Sequence, residues 1–248
     1  MTKPHSSCLD WAVQNPVLVA LDVPTAEEAL QLAKRLAGVV GGFKIGSELF
    51  THAGPSIVRQ FRELGSAVFL DLKFHDIPNT VAKAVAAAVQ LDVQMLTVHT
   101  SGGRAMMAAA EQSAQQASQK LGCAAPLVLG VTVLTSLNSN ELSEVGIEPD
   151  VSRQVERLAD LAVKSGLRGL VCSPLEVARL RQIVPSTLKL VTPGIRGPAD
   201  KADDQKRTLS PGEAIQAGAD FLVIGRPIYA ASDPRAAAEG IVSSLGTT

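Results

Sequence analysis

Apolar and polar positions along this chain follow two periods in alternation. Short apolar runs recur at Val17–Val23, Phe43–Ile45, Ala67–Leu72, Met95–His99, Leu127–Leu134, Gly169–Cys172, Leu188–Val191 and Phe221–Ile224. Each run is close to continuously apolar, the pattern of a strand buried on both faces, as in a parallel sheet. Stretches with helical spacing lie between them. The first places Ala26, Ala29, Leu30, Ala33, Leu36 and Ala37 on one stripe, opens on Thr25 and Glu28 as a capping box, and stops at Gly38. Pro55 opens another, with Ile57, Val58, Phe61 and Leu64 inward and Gly65 closing it. Ser173-Pro174-x-Glu176 and Ser210-Pro211-x-Glu213 each join an N-cap, a first-turn proline and an acid, and Asp233-Pro234 starts a last helix. The stripe Val81–Val89 reads as core packing.

Eight strand–helix units over 248 residues average about 31 residues each, the size of a unit in a (β/α)8 TIM barrel. The expected architecture is therefore α/β, one barrel domain spanning 1–248, with 1–16 as an N-terminal extension. A doubly wound sheet is the alternative, but it would carry a glycine-rich turn after its first strand, and ALDVPT has none. Two polar stretches interrupt the rhythm. Leu137–Asp150 follows the fifth strand, and 194–209 follows the seventh as a loop expected to close over a phosphate.

Composition narrows the function. With 23 Lys+Arg against 24 Asp+Glu, the net charge of −1 lacks the basic excess of a nucleic-acid or membrane-surface binder. Aromatics at 3% leave few rings for stacking single strands. No apolar run reaches membrane-spanning length, and the opening MTKPHSSCLDWAVQ lacks the apolar stretch of a signal peptide. Three cysteines, Cys8, Cys123 and Cys172, form no paired spacing, which points to a reducing cytoplasm. Cys172 reads as core, and Trp11 as an anchor of the N-terminal segment.

In a barrel, chemistry collects where the C-terminal strand ends converge. Those ends carry Asp22, Lys44, Asp71 with Lys73, His99, Thr135 with Ser136, Ser173, Arg196, and Gly225 with Arg226. The densest cluster is LDLKFHDIPNT at 70–80. Two residues apart on a strand, Asp71 and Lys73 share a face, and Asp76 follows in the turn before Pro78. With Lys44 and Asp22 they can form an alternating charge network that pins the Lys73 ammonium. A purely structural ion-pair cluster, with Asp76 helping to cap the next helix, competes with that reading. His75 lacks a second histidine at ligand spacing, so a polar loop role is favoured over a metal. His99 reads as a satisfied strand-end histidine. Gly225 and Arg226 in IGRP, together with Gln205, Lys206 and Arg207, suggest a phosphate site.

At these residues the chain resembles the orotidine 5′-phosphate decarboxylase family, in its bacterial branch. ALDVP, FKIG, LDLKFHDIPNT, TVLTS, TPGIR and IGRPI occur in order over essentially the whole length. The resemblance implies a homodimeric barrel that makes UMP and CO2 in pyrimidine biosynthesis without metal or organic cofactor. It implies that Lys73 donates the proton to C6, that Asp71 lies beside the substrate carboxylate, and that Lys44 holds the network and contacts the ribose. Asp22 would bind the ribose, Thr135 and Ser136 the pyrimidine, and Arg196, Gln205, Gly225 and Arg226 the substrate, the last three around its phosphate. Asp76 and Thr80 would reach into the partner's site. Two other functions fit parts of the pattern: a Mg²⁺-dependent sugar-phosphate decarboxylase or aldolase sharing D-x-K-x-x-D, and a catalytically silent nucleotide-binding barrel.

Overall fold

The structure, a computed structural model, describes residues 15–196 and 208–246. The expectations for the extension 1–14, including Cys8 and Trp11, and for Gln205, Lys206 and Arg207 lie outside the described residues. Eight strands close into one parallel barrel in sequence order: β1 Val17–Ala20, β2 Gly42–Gly46, β3 Val68–Phe74, β4 Met95–His99, β5 Leu127–Val131, β6 Gly169–Val171, β7 Lys189–Thr192 and β8 Phe221–Ile224. Helices fill the connections and form the outer layer, so the open-sheet alternative is set aside.

Closure explains why the strands read as unbroken apolar runs. In β1, Leu18 and Ala20 join an inner cluster with Phe69, Met95, Leu129 and Phe221 that fills the barrel. Val17 and Val19 face the other way, into the layer shared with the helices. Below the mouth both faces of these strands are covered, so neither face selects polar residues there. In the outer layer Phe61 is fully buried and meets Phe43 edge to face at 5.4 Å. Gly42 starts β2 because a side chain there would stand 2.8 Å from the Ala67 carbonyl oxygen. At the end opposite the mouth, Asp220 accepts hydrogen bonds from Lys189 Nζ at 2.9 Å and from the Leu190 N–H at 2.8 Å, and it also pairs with Arg181.

Several element boundaries differ from the sequence expectation. β1 stops at Ala20 and β5 at Val131, earlier than their apolar runs, while β3 runs on through Phe74. Burial continues past the hydrogen-bonded ladder in the first two, and charged residues belong to the ladder in the third. Leu64 is 45% exposed, because its helix ends at Glu63 and leaves it at the C-cap. Ala37 is likewise an exposed C-cap; the buried stripe of that helix is Ala29, Leu32, Ala33 and Leu36. Thr25 accepts from the Glu28 N–H, which is one half of the expected capping box. The stretch Leu137–Asp150 contains a helix, Ser139–Glu144, headed by an Asn138–Glu141 capping box. A further helix, Ser47–Ala53, directly continues β2.

Three of the four proline-marked starts carry the side-chain caps expected of them. Ser173 and Glu176 cap a 3₁₀ turn, Ser210 and Glu213 cap the helix Pro211–Gln216, and Asp233 caps Pro234–Leu245. No helix among the described residues is long and apolar enough to cross a membrane.

Candidate active site

The strand ends frame a cavity of about 330 Å³ at the C-terminal mouth. Asp22, Lys44, Asp71, Lys73, Thr135, Ser136, Arg196, Gly225 and Arg226 all line it, above a floor that includes Phe69, Val131, Val171 and Val223. Nine of the twelve expected site residues thus meet in one place, although they come from six strand ends. Asp76 and Thr80 do not line it; both lie in the exposed run His75–Thr80 beside the mouth. Gln205 lies outside the described residues.

The charged side chains form a chain of alternating sign. Lys44 reaches the cavity from the inner face of β2, its neighbours Phe43 and Ile45 pointing outward into the core. Its ammonium lies 3.2 Å from Asp22 Oδ1 and 3.8 Å from Asp71 Oδ2. Lys73 Nζ donates to both Asp71 oxygens, each at 2.9 Å. Gly46 leaves room for this pairing, since a side chain there would stand 3.0 Å from Lys44 Nζ. Asp22 lies two residues beyond β1, in the turn, and is half exposed.

Asp71 and Lys73 do share the inner side, but not on a regular strand. Pairing between β3 and β4 jumps from Leu70–Leu96 to Phe74–Val98, so Asp71, Leu72 and Lys73 together face Thr97. Lys73 occupies the left-handed region at φ 51°. Such a conformation in a residue with a long side chain costs on the order of 1–3 kcal/mol and persists only where its surroundings impose it. Thr97 is the residue that sequence reasoning overlooked. It is fully buried, accepts the Lys73 N–H at 2.8 Å and donates its hydroxyl to Asp71 Oδ1 at 3.0 Å. The available signal was one hydroxyl residue in the apolar part of β4 that precedes His99.

Asp76 does not cap the following helix through its side chain as the structural reading had it. Ile77 is the N-cap, and Asp76 Oδ1 accepts only the adjacent Ile77 N–H, at 2.6 Å. His75 is exposed, and its ring lies 5.5 Å from that of His99. Among the described residues no three His, Cys, Asp or Glu side chains converge as a metal-donor set.

Electrostatics follow from burial and neighbours. Burial raises the Asp71 carboxyl, but Lys44, Lys73 and the Thr97 hydroxyl together outweigh it and hold the group below its ordinary value of 3.8. Burial, His75 and Lys73 lower the His99 imidazole against an opposing effect of Asp71. For a lowered carboxyl, the stability contribution is full above the unfolded value and disappears as pH falls through the folded one. Asp71→Asn is therefore expected to lose less stability than the parent protein as pH falls below about 4. Urea unfolding across that range measures it; parallel acid slopes would show that Asp71 is not held low.

The chain as a whole has close relatives. The sequence model of the Orotidine 5′-phosphate decarboxylase / HUMPS family matches residues 15–241. The chain belongs to this family. It is 53% identical over 229 residues to orotidine 5′-phosphate decarboxylase of Opitutus terrae, covering 92% of this chain and 97% of that one. Identity to the enzyme of the same name from Paramagnetospirillum magneticum is 52% over 232 residues, with 94% and 99% covered. The crystal structure of orotidine 5′-phosphate decarboxylase from Lactobacillus acidophilus superposes with a TM-score of 0.84 at 37% identity, covering 94% of this chain and all of that one. Membership in this decarboxylase family makes the chain an enzyme of the carboxy-lyase class, with a role in pyrimidine biosynthesis.

Proposed function

We propose that this enzyme converts orotidine 5′-phosphate to UMP and CO2 without a metal or organic cofactor, with Lys73 as the proton donor. The observation that carries the reading is the Lys44–Asp71–Lys73 arrangement at the cavity: a buried carboxylate held between two ammonium groups. When the C6–carboxylate bond breaks, the electron pair stays at C6 in the plane of the ring, outside the π system. Resonance within the ring cannot absorb it. An ammonium beside C6 stabilises the developing charge and then transfers its proton to form the C6–H bond. Water then returns a proton to the Lys73 amine.

Asp71 holds that ammonium in place and repels the substrate carboxylate until CO2 departs. Lys44 keeps Asp71 ionised and, with Asp22, binds the ribose. Thr135 and Ser136 contact the pyrimidine. Arg196 binds substrate, while Arg226, Gly225 and Gln205 receive the phosphate. Arg226 and Gly225 on the cavity wall support that assignment. The loop 194–209 closes over the phosphate in this reading; at its base Ile195 pairs with Leu209, and the Arg196 N–H donates to the Leu209 carbonyl at 3.0 Å. Phosphate held far from C6 then contributes binding free energy to assembling the site around the reacting carbon.

The working unit in this proposal is a homodimer, with Asp76 and Thr80 of the partner subunit completing each site. What supports it is the exposed segment at the mouth, where Ile77 is 66% exposed between two charged or polar site residues that have no place in their own cavity. The reading needs neither nucleic acid nor membrane, and it places the enzyme in the cytoplasm on the cysteine argument. A Mg²⁺-dependent sugar-phosphate enzyme is the second reading, since the D-x-K-x-x-D motif of Asp71, Lys73 and Asp76 is shared with that class. There the acids would bind metal instead of encasing lysines. The test is turnover of orotidine 5′-phosphate in excess chelator, followed by ultraviolet absorbance. Undiminished turnover is expected; activity that returns only with Mg²⁺ would overturn the proposal.

A further inference from the structure

Thr97 lies opposite the irregularity that brings Asp71 and Lys73 together. The ladder between β3 and β4 is regular below it, with Phe69 on Met95 and Leu70 on Leu96, and resumes above it at Phe74 on Val98. Three residues of β3 therefore span the length that one residue of β4 covers. A bulge of this kind leaves backbone groups without ladder partners and redirects the side chains around it. Here the N–H of Lys73 donates to the Thr97 hydroxyl at 2.8 Å instead of to a β4 carbonyl. The same hydroxyl donates to Asp71 Oδ1 at 3.0 Å, the oxygen that also accepts from Lys73 Nζ at 2.9 Å.

We infer that Thr97 is a positioning residue for decarboxylation, its hydroxyl joining the Lys73 backbone to the Asp71 carboxylate and so setting where the Lys73 ammonium stands. The inference rests on the proposed role of Lys73 and Asp71. Three features confine the hydroxyl to this task. Thr97 is fully buried, so water does not supply a substitute partner. Its backbone is in register with Leu129 of β5, which fixes it from the side away from the bulge. Its chain neighbours Leu96 and Val98 pack outward in the main core, leaving Thr97 on the inner side with Met95. A β-branched residue is also stiff about χ1, so the oxygen stays in one place.

One hydroxyl thus uses its acceptor and its donor on two different parts of the Asp71–Lys73 unit. The accepted N–H holds Lys73 at φ 51°. The donated proton orients the carboxylate so that both oxygens face Nζ. Without it, the backbone donor loses its protein partner and the carboxylate can turn about its own axis. An ammonium displaced by an ångström from its acceptor carbon transfers its proton far more slowly, while substrate held by phosphate and ribose still binds.

The test compares Thr97→Val, which keeps the shape and removes the oxygen, with Thr97→Ser, which keeps the oxygen. Both are assayed for kcat and KM on orotidine 5′-phosphate, for UMP affinity and for thermal unfolding. Thr97→Val is expected to lower kcat roughly 10- to 100-fold with KM and UMP affinity within about threefold, and Thr97→Ser to stay within about threefold in kcat. A role confined to stability would move the unfolding temperature and leave kcat intact, and that result overturns the inference. Equal losses in both variants would assign the effect to packing of the methyl group and overturn it as well. If Thr97→Val does not fold, Thr97→Ala is read against the same serine control. Lys73→Ala is assayed alongside. A fast Lys73→Ala enzyme removes the mechanism on which the inference stands, and the inference with it. A slow Lys73→Ala beside a fast Thr97→Val removes the inference alone.

Discussion

Replacing Lys73 by alanine lowers kcat for orotidine 5′-phosphate by at least about 10⁴-fold, while UMP affinity stays within about tenfold. Two separate effects are lost together. Proton donation by a positioned acid is worth roughly 10²–10⁴-fold, and a preorganised charge aimed at a developing anion is worth a further 10²–10³-fold or so. They reside in one group and do not simply multiply, which is why the lower bound is the one predicted. Binding is spared because the groups assigned to phosphate and ribose lie elsewhere on the cavity wall: Arg226 at the end of β8, and Asp22 beyond β1. Single-turnover rates with saturating substrate, beside UMP titration, measure both halves. A rate within tenfold of the parent enzyme would remove Lys73 from the chemistry.

The second large effect is a recovery. Asp76→Ala and Lys73→Ala are each expected to be nearly silent as pure proteins, yet their mixture regains about a quarter of parental activity after subunits exchange. In a two-fold symmetric dimer with shared sites, random exchange makes half the molecules mixed. Each mixed dimer carries one site with both lesions and one with neither. The prediction depends on Asp76 acting outside its own barrel, and its geometry favours this: it is exposed and absent from the cavity beside it. Native mass spectrometry shows whether exchange occurred. Mixed dimers without recovered activity would mean that each subunit holds a self-contained site.

Much of the site could be read before folding because its chemistry interrupts an otherwise apolar code. Lys44 and Asp71 are conspicuous inside FKIG and LDLK because every neighbouring position is filled for burial. The same logic located Arg196 and Arg226 just past their strands. It failed where a residue's role depends on another strand. Thr97 within MLTVH differs little from the Thr100 and Thr132 hydroxyls, which bond the Val131 and Val171 carbonyls. Nothing along β4 announces that β3 bulges opposite it.

The short helix Ser139–Glu144 was passed over for a related reason. Its buried contribution is Leu142 alone, too little to print a periodic stripe. The competing reading of Asp76 as a cap rests on the proline at the first turn, whereas the backbone makes Ile77 the N-cap.

Residue order therefore determined the barrel, since eight doubly buried strands joined by amphipathic helices leave few other ways to hide their surfaces. It also determined which ionisable groups end up at the mouth, because the end of each apolar run places the next polar side chain there. Tertiary structure decided how those groups engage. Closing the ring set β3 against β4 with three residues opposed to one, turned Lys73 into a left-handed conformation and put its ammonium on both oxygens of Asp71. Register between strands is a property of the pair, so no reading of either strand alone contains it.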